Sequence, residues 1–532
     1  MTSPAPGVPS STEAEFYYYG LRSQPALVAR SSDTVWFQPT GPEAYLKAKE
    51  LRTVGRHGLN DVWETVVASA IESYLQSQQV DYRSVDPARI GYAGSNVFPL
   101  VLWIGVAPGS LSGTDGRAVA LGCRDILINN GITDVEVEIR VSIAALQTRL
   151  YAPVLTSDPI VRAIEPFATS LGIPICAATT PSIEGTGGFF FTDSRRPGKV
   201  FLVTARHVLF HPDRTVNTDY VLGPTGDAKK NVFLLGDAGL EARIAAIEAE
   251  IGGKEIILTQ LTARMKAVEG RDDAAARRER KKVEQEEEEA MEAKEALKTV
   301  LHDVKLGWPS GSNADRTLGH VVLSPSFGFS VGPNKYTEDW AVIEMDASCI
   351  DKENFTGNCI DLGTKVPVDE FTTWMYPNKI NPGSFTYPGD RLLRCHGFIP
   401  DDQMAKPDNK TLDHDNDPVI MVIKRGAASG LTVGRLNTIR SVVRYYFNGK
   451  LGQSTREVAV YPRNSKSDAF SEPGDSGSVV IDGKGRIAGI LTGGAGDTKL
   501  SDCTYVTSIN FIVQRLQEHG FRPNISPTVD DL

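Results

Sequence analysis

The stretch from Ser471 to Gly494, SEPGDSGSVVIDGKGRIAGILTGG, places a serine between two glycines on a tight turn and continues into two short apolar strands. A serine hydroxyl exposed on such a turn can attack a carbonyl carbon if a base takes its proton and backbone amides stabilise the oxyanion. The amides of Gly474 and Ser476 are the candidate donors. Because most serines in glycine-rich turns have no chemical role, Ser476 needs a base and a carboxylate elsewhere in the chain.

The base should be a histidine on a rigid element, and the chain has eight histidines. His207 ends the segment KVFLVTARHV, an apolar run typical of a buried strand, so its ring is expected to emerge at the strand end. His211 is the rival, but it lies beyond the strand and directly before Pro212. His320 and His396 lie near strands without a supporting pattern, which favours structural roles for them.

The carboxylate that orients the base should be buried beside it, which favours an acidic residue at the border of an apolar strand. Asp339 fits, since it precedes the apolar run in TEDWAVIEMD. Asp346, which closes the same strand, and Glu338 are weaker candidates. The alternative for Asp339 is that its carboxylate only caps a turn.

The segments TARHV, DWAVI and GDSGS occur in the order His, Asp, Ser, which is the chain order of chymotrypsin-like serine peptidases. Residues 173–520 resemble this trypsin-like family. GTGGFFF, VIKRGAASGLTVGRL, GILTGG and TYVTSINFIVQRL are similar to further strands of its two barrels and to its closing helix. The implied fold is mainly β, a double six-stranded β-barrel of chymotrypsin type. The order of the front module and of EGTGGFFF…VTARHV is also similar to that of large fungal proteins, a resemblance that implies no activity.

The resemblance implies a role for each matching residue. His207, Asp339 and Ser476 would form the catalytic triad, and the amides of Gly474 and Ser476 would form the oxyanion hole. The substrate pocket would be bordered by residues of two segments: Phe470, Thr492, Gly493 and Gly494. Phe470 stands six residues before the nucleophile where trypsin has an acid, so a preference for Lys or Arg is not expected, although Glu472 is close by.

Two further departures concern activation and cysteines. Trypsin-type activation pairs a new N-terminus with the residue before the nucleophile, here Asp475. No suitable IVGG-like start precedes GTGGFFF, so we expect no such activation and a local bond for Asp475. No cysteine pair brackets Ser476 or His207, unlike in secreted members of the family.

The composition of the chain also predicts its domains. Residues 1–40 are predicted to be a disordered lead, and residues 41–150 a small α+β module of unknown role that starts with helical periodicity. From 238 to 305 the chain is rich in Ala, Glu, Lys and Arg, with apolar residues at heptad spacing in two arms. These residues are Ile244, Ile251, Leu258 and Met265, then Val283, Ala290, Leu297 and Val304. They predict a coiled-coil helical hairpin inserted in the first barrel, or alternatively one long charged helix.

The net charge of −10 over 532 residues argues against nucleic acid or an anionic membrane as the main partner. The six cysteines lack metal-ligand spacing, so neither a metal nor another cofactor is expected. With no signal-like or membrane-spanning run, the expected location is the cytoplasm. The expected partner is a protein or peptide substrate, with self-association or a partner helix at the coiled coil.

The sequence therefore predicts a serine endopeptidase that works through an acyl-enzyme. Two alternatives remain open. One is a catalytically silent scaffold that binds protein partners through the coiled coil, since a fold does not fix an activity. The other is an esterase or acyl transferase with the same triad.

Overall fold

The structure of the chain is a computed structural model, which describes residues 8–532 except 22–24, 38–44, 108, 143–148, 224–228, 309–315, 379, 381–382, 414, 448–449 and 497–500. The chain divides into two compact units, Met1–Leu146 and Gln147–Leu532. In the described part, none of the helices combines the length and the apolar character that crossing a membrane requires.

The first unit is a five-stranded sheet in the order β1-β5-β4-β3-β2, in which only the pair β4–β5 is parallel. Its strands are β1 (Leu27–Arg30), β2 (Lys49–Arg52), β3 (Tyr82–Tyr92), β4 (Leu100–Val106) and β5 (Glu136–Val141). Its helices are α1 (Ser11–Phe16), α2 (Leu59–Val62), α3 (Ala68–Ser77) and α4 (Gly113–Asn129), with a π-helical turn at Trp63–Val67. Helix α4 connects the two parallel strands, as such a crossover requires.

The first unit differs from the sequence prediction in two places. The expected disordered lead over residues 1–40 carries α1 and β1, and Tyr18, Leu27 and Ala29 within it are buried. The helical period expected from residue 41 onward begins only at α2, because β2 pairs with the end of β3. Apolar packing of the first segment and backbone pairing of β2 with β3 outweigh the local composition of these segments.

The second unit is mainly β. The strands of its first half are β6 (Pro174–Ala177), β7 (Glu184–Thr186), β8 (Phe189–Asp193), β9 (Val200–Thr204), β10 (Tyr220–Val221), β11 (Asn231–Leu234), β12 (Thr317–Ser324), β13 (Gly328–Val331), β14 (Tyr336–Glu338) and β15 (Ala341–Met345). Those of its second half are β16 (Cys359–Asp361), β17 (Leu392–Arg394), β18 (Ile420–Gly426), β19 (Gly430–Leu436), β20 (Ser441–Phe447), β21 (Lys450–Pro462), β22 (Val479–Asp482), β23 (Ile487–Ala495), β24 (Cys503–Ser508) and β25 (Pro523–Asn524).

These strands form two large sheets and two small ones. The first large sheet runs β25-β8-β9-β15-β12-β11-β6-β7, and β10 adds to β12. The second runs β19-β18-β22-β23-β24-β21-β20, and β19 also pairs with β21. Six strands of the second sheet therefore form a closed ring. In the described residues the first sheet is an open path with β7 and β25 at its ends, so it departs from a closed six-stranded barrel.

The helices of the second unit are α5 (Arg206–Leu209), α6 (Asp237–Ala267), α7 (Ala274–Gly307), α8 (Val368–Trp374), α9 (Asp401–Ala405) and α10 (Ile509–Glu518), with 3-10 turns at Glu165–Phe167 and Val529–Asp531. Helices α6 and α7 pack against each other along buried apolar residues that include Leu261 and Val283. Ion pairs Lys305–Glu248 and Lys294–Glu255 join the two helices in an antiparallel arrangement.

The strands that matter for the site are held by apolar side chains on both faces. All five residues of β8 and all five of β9 are buried, as the apolar runs FFF and VFLV predict. Strand β15 pairs antiparallel to β9, with Ala341 opposite Thr204. The chain that leaves β9 and the chain that enters β15 therefore meet at the same end of the sheet.

Candidate active site

His207 and Asp339 meet at this end of the sheet. After Thr204 the chain turns into the short helix α5, which carries His207, and Asp339 stands two residues before β15. The backbone N–H of His207 donates to Asp339 Oδ1 at 3.0 Å, and ring Nδ1 lies 2.7 Å from Oδ2. One carboxylate thus holds both the backbone and the ring of the histidine, across 132 residues of sequence.

The contact also sets the protonation of the ring. A carboxylate only accepts hydrogen bonds, so Nδ1 is the donor, and Nε2 of the neutral ring is free to accept a proton. The Asp339 side chain is 2% exposed and that of His207 27%. Burial lowers the pKa of His207, but the charge of Asp339 and its hydrogen bond outweigh burial, so the pKa is raised above its ordinary value. A raised pKa makes the ring a better proton acceptor.

A second set of hydrogen bonds, which is buried, holds the segments that carry His207 and Asp339, and the sequence analysis missed it. The guanidinium of Arg206 donates to the carbonyl and hydroxyl of Ser324 and to the carbonyls of Pro325 and Thr218. The Ser324 hydroxyl in turn donates to the carbonyl of Trp340 at 3.0 Å. The residues beside His207 and Asp339 are thus linked through one serine. The available signal was an arginine two residues after the buried strand VFLVT.

The Ser476 turn has the backbone expected of an oxyanion site. Gly474 and Gly477 have φ of +106° and +93°, in the left-handed region that favours glycine. The amides of Asp475, Gly477 and Ser478 donate to backbone carbonyls. Within the described residues the amides of Gly474 and Ser476 donate no hydrogen bond, so this pair is available to a ligand.

The turn packs against the strand end that leads to His207. The carbonyl of Ser476 accepts the Thr186 amide at 2.8 Å. A Cβ added to Gly477 would lie 2.3 Å from Thr204 Oγ1 and 3.1 Å from the Ala205 nitrogen. Ser476 itself is half-buried. In the described part of the chain its hydroxyl makes no hydrogen bond, so the structure joins His207 to Asp339 directly and only places Ser476 beside the same strand end.

Asp475 forms a buried ion pair with Lys424 of β18. The Nζ–Oδ2 distance is 2.8 Å, and both side chains are fully buried. The carboxylate also accepts the amides of Glu472, Ala428 and Ser429 and the hydroxyl of Ser429. Burial raises the pKa of Asp475, but the charge of Lys424 and these hydrogen bonds outweigh it and hold the pKa below its ordinary value.

The expected local bonding of Asp475 is therefore only part of its surroundings. Lys424 was missed, although a lysine within the apolar strand PVIMVIKRG is an unusual residue that calls for a buried partner. The ammonium of Lys424 supplies the positive charge that this buried carboxylate requires.

The expected pocket residues divide into two groups. Gly493 and Gly494 lie at the accessible end of β23, where Gly494 is exposed. The side chains of Phe470 and Thr492 are buried, and the Thr492 hydroxyl lies 3.1 Å from that of Thr507.

The two weaker carboxylate candidates for orienting His207 contact other groups. Asp346 accepts hydrogen bonds from the amide and the hydroxyl of Ser348. Glu338 accepts a hydrogen bond from the indole of Trp340 and forms an ion pair with Arg515.

A buried carboxyl group lies close to the Asp339 segment. Glu457 of β21 accepts the amide of Thr337 at 2.9 Å and its hydroxyl at 2.6 Å, and the hydroxyl of Thr507 at 3.0 Å. Burial raises the pKa of Glu457 to about 7 in spite of these bonds. Nothing in the local sequence REVAVYP singled this residue out.

No protein-family model and no curated protein matches the chain. Among solved structures, the Nocardiopsis protease NAPase is similar at 13% identity and a TM-score of 0.28, over 67% of this chain and 98% of that one. Thermobifida fusca protease A has 13% identity and a TM-score of 0.28, over 66% and 96%. Cellulomonas bogoriensis chymotrypsin has 20% identity and a TM-score of 0.21, over 40% and 78%. These neighbours are proteases by name, and the assignment below rests on the residues of this chain.

Proposed function

We propose that residues 173–520 form a serine endopeptidase of the chymotrypsin class, in which the closed ring of six strands is the second barrel and the open first sheet, with the hairpin 238–305 inserted in it, takes the place of the first. The observation that carries the proposal is the contact of His207 with buried Asp339 beside a turn that offers two free amides. A histidine that is only structural needs neither a free Nε2 nor unpaired donors next to it.

The proposed reaction runs in two halves. The Ser476 hydroxyl attacks the peptide carbonyl while His207 Nε2 takes its proton, and the amides of Gly474 and Ser476 bind the oxyanion. His207 then gives the proton to the leaving amine as the C–N bond breaks, which leaves an acyl ester on Ser476. Water repeats the sequence, releases the acid and restores the hydroxyl. Asp339 holds the ring tautomer and stabilises the imidazolium.

The pocket is proposed at Phe470, Thr492, Gly493 and Gly494, with the exposed strand end of β23 against the substrate backbone. The buried aromatic ring of Phe470 offers no charge to a basic side chain, so cleavage after Lys or Arg is not expected. The Lys424–Asp475 pair would hold the oxyanion turn in place without any cleavage of the chain, which makes the proposed enzyme active as synthesised.

A fluorophosphonate probe tests the proposal, because it labels only an activated serine. The full chain should be labelled, and Ser476→Ala should abolish the labelling. Ser465→Ala is the matched control, since Ser465 is an exposed serine of the preceding loop and makes no described contact. Folded protein that stays unlabelled would refute the peptidase and the esterase together, and a peptide library would separate those two.

The second candidate function, a silent scaffold, is favoured by two observations. The Ser476 hydroxyl makes no described hydrogen bond to His207, and the hairpin exposes the apolar side chains of Ile256, Ile257 and Met291. In this function the hairpin binds a second copy of the chain or a partner helix. A rise of molar mass with concentration, lost when Ile256 and Ile257 become Gln, would support the scaffold.

We also propose that the protein works in the cytoplasm. All six cysteines lie in described residues and are free thiols, and five of them are buried. A chain of this size that used an oxidising compartment would be expected to pair some of them. The described residues hold no cluster of metal ligands, and the proposed reaction uses no cofactor.

A further inference from the structure

A small cavity of about 160 Å³ adjoins the Ser476 turn. Its walls are the segment around Glu165–Gly172, the loop Gly426–Gly430 that follows β18, and Arg243 of helix α6. An engineered cavity of about 150 Å³ holds one benzene molecule, so this cavity has room for one side chain.

The cavity is basic in an acidic protein. Arg243, Lys365 and Arg425 line it, from three separate segments of the chain. Arg425 is paired with Glu165, the acidic residue of the lining. Arg243 and Lys365 are exposed at the rim of the cavity, and in the described residues neither forms an ion pair, so no acidic side chain neutralises them. The net charge of the whole chain is −10, which makes this excess of positive charge a local feature.

The cavity and the oxyanion turn share a wall. The amides of Ala428 and Ser429, in the loop that lines the cavity, donate to Asp475 at 3.0 and 3.1 Å. A Cβ added to Gly474 would lie 3.1 Å from the Ala428 Cβ. A peptide whose carbonyl is bound at the Gly474 amide would therefore lie near the loop that lines the cavity.

We propose that this cavity binds one carboxylate of the peptide substrate, an Asp or Glu side chain close to the cleaved bond, between Arg243 and Lys365. The inference rests on the proposed peptidase function and names its substrate class. Charge-assisted hydrogen bonds from guanidinium and ammonium groups are the interactions that select carboxylates over amides of the same shape. The helical hairpin would thus take part in specificity, because it supplies Arg243.

The test uses the full chain and an internally quenched peptide of neutral residues that it cleaves. One Glu or one Gln is placed in turn at each of the four positions on either side of the cleaved bond. Glu should raise kcat/KM about 10-fold over Gln at one position, the size expected of a partly screened charged pair. In the double variant Arg243→Gln/Lys365→Gln this ratio should fall to about 1, while Arg278→Gln, an exposed cation near the hairpin turn, should keep it.

Other outcomes separate the two proposals. Protein that is labelled by the fluorophosphonate at Ser476 but has a Glu/Gln ratio of about 1 everywhere, or keeps the ratio in the double variant, overturns the pocket and leaves the peptidase. If neither labelling nor cleavage occurs, the binding of the same peptides, measured by fluorescence anisotropy, decides whether the pocket proposal stands. Tighter binding of the Glu peptides that the double variant loses would keep the pocket, and equal binding would overturn it as well.

Sulfate distinguishes a substrate carboxylate from a free anion. If the pocket serves the substrate, sulfate should compete with the Glu peptide and lower its kcat/KM. If instead sulfate accelerates cleavage of the Gln peptide and no position prefers Glu, the pocket binds a regulatory anion and the substrate proposal is wrong.

Discussion

Replacement of Lys424 by Met removes the buried cation that faces Asp475 and keeps most of the apolar length of the side chain. The carboxylate then keeps its hydrogen bonds from Glu472, Ala428 and Ser429 but loses the ammonium at 2.8 Å. Because both side chains are fully buried, water cannot replace the lost partner without opening the loop. The turn that carries Ser476 should therefore shift or become mobile.

The size of the effect follows from the burial. Removal of one partner of a buried ion pair costs about 3–5 kcal/mol, and we expect the lower end because the remaining hydrogen bonds still stabilise the charge. The pKa of Asp475 is lowered in the folded protein, so its contribution to stability is present above the ordinary carboxyl pKa and is lost as the pH falls through the folded value. The deficit of the variant should thus be largest near neutral pH and should shrink in acid.

The assay is urea unfolding of the second unit, followed by near-UV circular dichroism, together with fluorophosphonate labelling of the same samples. Lys424→Met should lose stability and labelling together, and the exposed control Lys352→Met should lose neither. The double variant Lys424→Met/Asp475→Asn should regain much of the stability, because no buried charge is left unpaired. A loss below about 1 kcal/mol with full labelling would refute the reasoning.

Three further predictions concern other parts of the site. Asp339→Asn should leave the fold intact and lower kcat about 10⁴-fold by favouring the wrong His207 tautomer, and a loss under 10-fold in peptide cleavage would contradict this. Glu457 has a pKa of about 7 against an ordinary 4.5, so its contribution to stability falls as the pH rises between these values; Glu457→Gln should remove about 3 kcal/mol of that pH dependence, measured by urea unfolding at pH 5 and 8. In Gly477→Ala the new Cβ would lie 2.1 Å from the Thr186 carbonyl at a φ of +93°, which should cost at least about 3 kcal/mol. The control Gly198→Ala, at a φ of +74° in open space, should cost only about 1 kcal/mol, and equal losses would show that the close contact does not matter.

The strands around the site were predictable because their signals are local. The runs FFF and VFLV predict β8 and β9, and a polar residue at each strand border predicts where His207 and Asp339 emerge. The contact between His207 and Asp339 depends on the pairing of β9 with β15, which local sequence patterns do not predict. The expectation of this contact came from the order of the three segments, which resembles that of chymotrypsin-like peptidases. The closing helix expected from the segment TYVTSINFIVQRL is observed as α10 (Ile509–Glu518).

The residues that the sequence analysis missed have one physical feature in common. Lys424, Arg206 and Glu457 are polar side chains in apolar strands or beside them, and their partners lie on distant segments of the chain. A single sequence shows that such a residue is unusual but not which group neutralises it. The helix expected near residue 45 failed for a related reason, because β2 is stabilised by pairing with β3 and not by its own propensity.

Helices α6 and α7 connect β11 to β12. The chain leaves the sheet and returns to it at neighbouring points, since Asp237 at the start of α6 is paired with Arg316 just before β12. Helices form from contacts between near neighbours and can be complete before the strands find one another. Once both helices have formed, the loop that must close between β11 and β12 is effectively several-fold shorter than its residue count. Each halving of the loop length lowers the entropic cost of closure by about 0.6 kcal/mol. The pair of helices that lies between His207 and Asp339 in the chain thus delays the meeting of these two residues far less than its length suggests.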